Sequence, residues 1–219
     1  MSRILIAACA IAGAAFILTP QARADASDPA GDLAHAWDHV QFELTDRDQR
    51  LQGFSDLADR ADHMLQTSPD NAEVMVWEAI SLSSEAGEIR GPSALGKVKK
   101  ARDLLLAAEQ IDPNTLGDGS IYSSLGTLYY QVPPFPIGFG NKKKARVFLE
   151  KALEQNPDGI DPNYFYAEFL YDEDDHAGAL QYLEKALKAP PRPGRASADE
   201  GRHQDIQKLM TKVRKELTS

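Results

Sequence analysis

The sequence predicts an all-α fold, and three observations carry that reading. Runs that alternate apolar and polar residues, the mark of a half-buried strand, are almost absent. Apolar residues recur instead at helical spacing, in segments separated by Gly and Pro. One helical pattern also returns along the chain. Lys99-Lys100-Ala101-Arg102 leads to Leu105, Ala108 and Pro113; Lys143-Lys144-Ala145-Arg146 leads to Leu149, Ala152 and Pro157; Ala179 leads to Leu183, Ala186 and Pro191. Residues at i, i+4 and i+7 share one helix face, the small Ala lets a neighbouring helix approach, and the Pro ends the helix.

The elements follow in order. Arg3, the apolar run from Ile4 to Leu18 and the ending Ala22-Arg23-Ala24 read as a secretory signal peptide, cleaved after Ala24. The run is shorter than the roughly 20 residues of a membrane-spanning helix. Ile6-Ala7-Ala8-Cys9 has the look of a lipobox, but too little apolar sequence precedes Cys9 and much follows it. Cys9 is the only cysteine, so a mature chain starting at Asp25 has no thiol and no disulfide. The rest, 25–219, reads as one domain with helices over 32–44, 46–66, 71–86, 95–110, 120–131, 141–154, 163–171, 177–188 and 199–217. Asp112-Pro113, Asn156-Pro157 and Asp161-Pro162 mark boundaries, because the residue before proline is pushed out of helical conformation. In 120–131, Tyr122, Leu125, Gly126 and Tyr129 form a packing face, with Gly126 where two helices cross closely. Asn163, Tyr166, Ala167 and Leu170 repeat that spacing.

This pattern resembles the tetratricopeptide repeats (TPR), stacked antiparallel helix pairs with a period near 34 residues. The resemblance implies a right-handed solenoid of three to four repeats, with pairs over 71–113, 119–157 and 160–191, a degenerate first pair over 32–69 and a capping helix over 199–217. Two inserts depart from the family, 87–96 and 132–140. The second, with its Pro/Gly-rich run before a Lys/Ala-bearing helix, is similar to secreted helical-repeat subunits associated with tripartite ATP-independent periplasmic (TRAP) transporters. Tyr130-Gln131-Val132 is similar to a turn in the regulators of microtubule dynamics.

Composition narrows the function classes. With 24 Lys+Arg against 33 Asp+Glu the net charge is −9, which weighs against nucleic-acid binding. H-E-x-x-H, P-loop, G-x-S-x-G and C-x-x-C motifs are absent, and no cofactor is called for. His35 and His39 lie four apart but lack a third metal ligand. The acidic run from Asp172 to Asp175 lacks the glycine and spaced acids of a calcium loop and reads as a turn. Lys142, Lys143, Lys144 and Arg146 read as a solvated face.

Ser123, Thr127 and Tyr130 share a second helix face, and Tyr164, Glu168 and Tyr171 repeat it one repeat later. In the resembled family that face lines the concave groove, so the resemblance implies a groove presenting Tyr130, Tyr164 and Tyr171 around Glu168. Phe135, Ile137 and Phe139, in the proline-stiffened insert, either fold back over a helix pair or form a docking lip at the rim. The expectation is a non-catalytic periplasmic scaffold that binds a protein segment or a small ligand. Two alternatives stand beside it. One is a TRAP-type accessory subunit docking a periplasmic solute-binding protein; the other is a carboxylate hydrolase using Glu168, for which the sequence supplies no second catalytic group.

Overall fold

The computed structural model describes residues 28–89 and 91–218; the signal-peptide reading lies outside them. Nine α-helices are present among the described residues: α1 Pro29–Asp38, α2 Arg47–Thr67, α3 Ala72–Glu88, α4 Ala94–Ile111, α5 Ser120–Gln131, α6 Lys142–Gln155, α7 Ile160–Asp172, α8 His176–Ala186 and α9 Ala196–Leu217. A π-helical turn, His39–Glu43, extends α1. No strand forms among the described residues beyond a single bridge between Pro134 and Gly140.

Local chemistry sets the helix starts. Asp28, Asp46, Asn71, Asn141 and Asp175 each accept the backbone N–H three residues on, at 2.9–3.1 Å. These N-caps satisfy donors that the first turn leaves unpaired. Two starts differ from the sequence expectation. α1 begins at Pro29, not at residue 32, because Asp28 caps it and proline suits a first turn. α7 begins at Ile160, so Asp161-Pro162 opens that helix where a stop was expected.

The repeated Ala-Leu-Ala pattern is the packing seam. Ala101, Leu105, Ala108, Ala145, Leu149, Ala152, Ala179, Leu183 and Ala186 are all 0 % exposed. They let α4, α6 and α8 lie close on α3, α5 and α7, which form the three helix pairs. The first helices of the pairs, α3, α5 and α7, stand side by side, with α9 against α7 and α8 at the end. This is the expected helical-repeat solenoid with its capping helix.

The sequence did not predict that the two ends of the solenoid meet. α1 packs on α2 and α3, and its π-helical turn reaches α9. Arg195, just before α9, holds buried Asp38 with two donors, its Nε at 2.9 Å and its Nη2 closer still. Phe42 lies on Gly201, where even a methyl group would collide with the ring at 2.2 Å. The Arg202 guanidinium stands 5.6 Å from the centre of that ring.

Candidate functional site

Joining the ends turns the open concave face of a helical stack into a cavity of about 700 Å³. Helices α3, α5 and α7 form its floor, and α1 and α9 close it across. Its apolar lining includes Trp37, Trp77, Ile80, Val98, Leu128 and Phe165. Trp37 packs against Trp77 with ring centres 6.1 Å apart, and its Nε1 donates to Ser84 Oγ at 3.0 Å. Both inserts reach the rim, the first through Gly91, Pro92 and Leu95, the second through Val132, Pro133 and Ile137.

The polar side has two parts. Near α9, Asp161 accepts from Arg202 Nε at 2.7 Å and from Arg192 Nη1 at 2.6 Å. Arg192 also holds Asp199, and Arg202 reaches Asp205, which Lys208 approaches at 3.2 Å. Burial alone would raise the Asp161 carboxyl, but the charges of Arg202 and then Arg192 outweigh it and hold it at about 2. Asp161, Asp199 and Asp205 thus each have a basic partner. Asp118, at the entry to α5, accepts the Ser120 N–H at 2.9 Å, and burial pushes its carboxyl up.

The other part is built around Glu168. Tyr130 donates its hydroxyl to one carboxylate oxygen at 2.5 Å, and Tyr164 to the other at 3.4 Å. Burial, with the neighbouring Glu168 charge second, pushes both phenols well above their ordinary value, which keeps them protonated as donors. Ser123 and Thr127 stand one turn apart on α5 and line the same cavity. Ser123 is 2 % exposed, and neither its hydroxyl nor that of Thr127 has a hydrogen-bond partner among the described residues. Ser81, Ser83 and Ser84 on α3 differ, each bonding back to the carbonyl four residues earlier.

The structure therefore brings Ser123, Thr127, Tyr164 and Glu168 together on the cavity wall. It puts the remaining sequence candidates elsewhere. Tyr130 stands behind Glu168 against Phe169, with ring centres 5.7 Å apart. Tyr171 packs on His176 at the far end of α7. The groove therefore presents one tyrosine ring and not three, because the tight Tyr130–Glu168 bond turns that ring into the floor. The insert divides: Phe139 folds back onto Tyr129 beneath Arg102, whereas Phe135 and Ile137 stay 87 % and 67 % exposed. The peptide between Phe135 and Pro136 is cis.

The other clusters are engaged within the fold. The acidic run is a turn in which Asp175 caps α8 and Lys142 bridges Asp172 and Glu173. Lys144 lies over Tyr129 and Arg146 over Phe169. His39 pairs with Glu43, and no trio of His, Cys, Asp or Glu with metal-site geometry occurs among the described residues. No helix there is long and apolar enough to cross a membrane. Sequence reasoning missed Arg195, Arg202, Asp161 and the two tryptophans as cavity residues, and Arg192 as the second partner of Asp161. The available signal was three arginines close together in an acidic chain, with Asp161 placed i−7 from Glu168 on one helix face.

Comparison with known proteins agrees with this architecture. A tetratricopeptide-repeat family model matches residues 137–198, which span α6 to the start of α9. No curated protein matches the chain. Among solved structures, the chain is similar to a thermophilic TPR protein of Thermus thermophilus, with 14 % sequence identity and a TM-score of 0.55. That likeness covers 84 % of this chain and 98 % of the other. At that identity it shows a shared fold, the helical-repeat solenoid.

Proposed function

We propose that this chain is a non-catalytic, exported binding module that takes a small molecule into the cavity between α1, α9 and the concave helices. Helical-repeat folds of this kind are protein-interaction scaffolds with extended binding surfaces. The observation that favours a small ligand is the joining of α1 to α9 through Asp38 and Arg195. A cavity of about 700 Å³ lies within the roughly 300–1,000 Å³ range of small-molecule sites. A partner helix, about 10 Å across, would need the groove to stay open. The lining favours binding over a reaction: Glu168 is engaged by two tyrosines and Asp161 by two arginines.

The chain's only tryptophans, Trp37 and Trp77, line the cavity, so their emission reports on its contents. Small amphiphiles are expected to change that emission with saturable binding. Ser124→Phe, at a half-exposed lining position, should abolish the response while the melting temperature holds. Equal responses in both proteins would overturn the cavity as the site.

Export is part of the same proposal. Intact-mass analysis of protein recovered from the periplasm should show a chain starting at Asp25, and retention of Met1–Ala24 would overturn it. The exposed Ile137 of the cavity lining, with exposed Phe135 two residues before it, favours a further reading, in which the loaded module docks a solute-binding protein of a TRAP-type transporter.

A further inference from the structure

We infer that the cavity selects a cationic ligand, an ammonium group on an apolar body, and that the ammonium is held by Glu168, Ser123 and Thr127. The inference rests on the small-molecule reading above and names the chemistry of its ligand.

Two acids line the cavity without an ion pair among the described residues, Glu168 and Asp118, and Asp118 has the Arg195 charge near it. The acids near α9, Asp38, Asp161, Asp199 and Asp205, all have arginine or lysine partners. Glu168 lines the cavity and forms no ion pair among the described residues. Its two tyrosine hydroxyls donate hydrogen bonds but carry no positive charge. A carboxylate half removed from water and lacking a counter-charge favours a cation beside it.

Two hydroxyls call for a polar ligand group, independently of charge. The Ser123 and Thr127 hydroxyls are buried and unpartnered, and a buried polar group without a partner is costly. Both lie on α5 and line the cavity that Glu168 also lines. An ammonium group has three donors and no acceptor, whereas an ionised carboxylate has about four acceptor positions. Two are taken by Tyr130 and Tyr164. The two remaining positions and the two hydroxyl oxygens make about four acceptors, enough for the three ammonium donors. An anionic ligand would meet the Glu168 charge, and the arginines that could offset it are already paired.

The rest of the cavity supplies the apolar half. Ile80, Val98 and Leu128 line it near the tryptophans, and each buried methylene adds about 0.8 kcal/mol. The ligand class is therefore an amine with an aliphatic or aromatic body, small enough for about 700 Å³.

The test compares hexylamine, hexanol and hexanoate, which differ in head group and share one tail, by tryptophan quenching and calorimetry at neutral pH. Hexylamine is expected to bind best and hexanoate worst, with about tenfold or more between them. Glu168→Gln keeps acceptors for the tyrosines and should remove the preference for the amine while leaving hexanol unchanged. Thr127→Val keeps the volume and should weaken hexylamine about three- to tenfold. Its melting temperature should not fall, because no protein partner of that hydroxyl is lost. A purely structural Thr127 would give the opposite pair of results. If hexanol and hexanoate bind as well as hexylamine, the charge assignment is overturned and the small-molecule cavity stands. If none of the three binds and emission stays constant, the cavity reading fails as well.

Discussion

Arg202→Ala is expected to cost about 2–3 kcal/mol of stability, read as a lowered urea midpoint, because it takes from Asp161 one of its two arginine partners and leaves only Arg192. Arg202 is 6 % exposed and donates its Nε to Asp161 at 2.7 Å. Its guanidinium also stands 4.6 Å from the Tyr164 ring centre and 5.0 Å from that of Phe165, so the same change removes packing from the cavity wall. The pH dependence separates the charge effect from packing. Asp161 is held at about 2, below its ordinary 3.8, against the opposing effect of burial. A carboxyl depressed by folding adds stability that is fully present above its unfolded value and is lost as pH falls through its folded value. The parent protein should therefore lose on the order of 2 kcal/mol from this group between about pH 4 and pH 2. In Arg202→Ala the Asp161 carboxyl rises, so the acid-dependent loss should shrink and be complete at a higher pH. An unchanged midpoint at neutral pH, or the same acid profile in both proteins, would show that the network around Asp161 contributes little.

The contrast between these arginines and the alanine seam shows which parts of the molecule local sequence can express. Ala145, Leu149 and Ala152 lie within one helix, so their shared face follows from helical geometry, and all three are fully buried. The same reasoning placed Gly126 at a crossing and put Ser123, Thr127, Tyr164 and Glu168 on one concave surface. Periodicity gives a face but not the depth of what lies beyond it. Tyr130 shares that face, and its hydroxyl reaches the neighbouring helix, which turns it from groove surface into a support for Glu168. The joining of the ends was invisible for a different reason. Asp38 and Arg195 are 157 residues apart, and no local pattern links them. Phe42 and Gly201 meet across the same gap. Trp37, on α1, became a cavity residue only through that closure. In the insert, one short proline-rich run adopts both of the fates open to it, since Phe139 finds Tyr129 and Arg102 while Phe135 finds no cover.

Gly126→Leu is the second large effect, and its sign can be checked with a smaller change at the same site. A Cβ at position 126 would stand 2.4 Å from Leu149 Cγ, 2.7 Å from Leu149 Cδ2 and 3.2 Å from the Ala145 carbonyl oxygen. Leu149 and Ala145 are both 0 % exposed, so neither α5 nor α6 has room to yield without moving the seam that joins the pair. Overpacking of this kind costs about 1–3 kcal/mol for added methylenes, and leucine adds a whole branched side chain, so about 3 kcal/mol or more is expected. Gly126→Ala decides the mechanism. In an open helix interior, replacing Gly by Ala stabilises by up to about 1 kcal/mol, because alanine loses less backbone entropy on folding. At a close crossing the collision outweighs that gain, and the change destabilises. Gly96, near the start of α4, has nothing within 4 Å of where a Cβ would go, so Gly96→Ala should show the stabilising sign in the same protein. Urea denaturation of the three variants measures all of this. A stabilising Gly126→Ala would mean that α5 and α6 do not approach at Gly126 as closely as the seam requires.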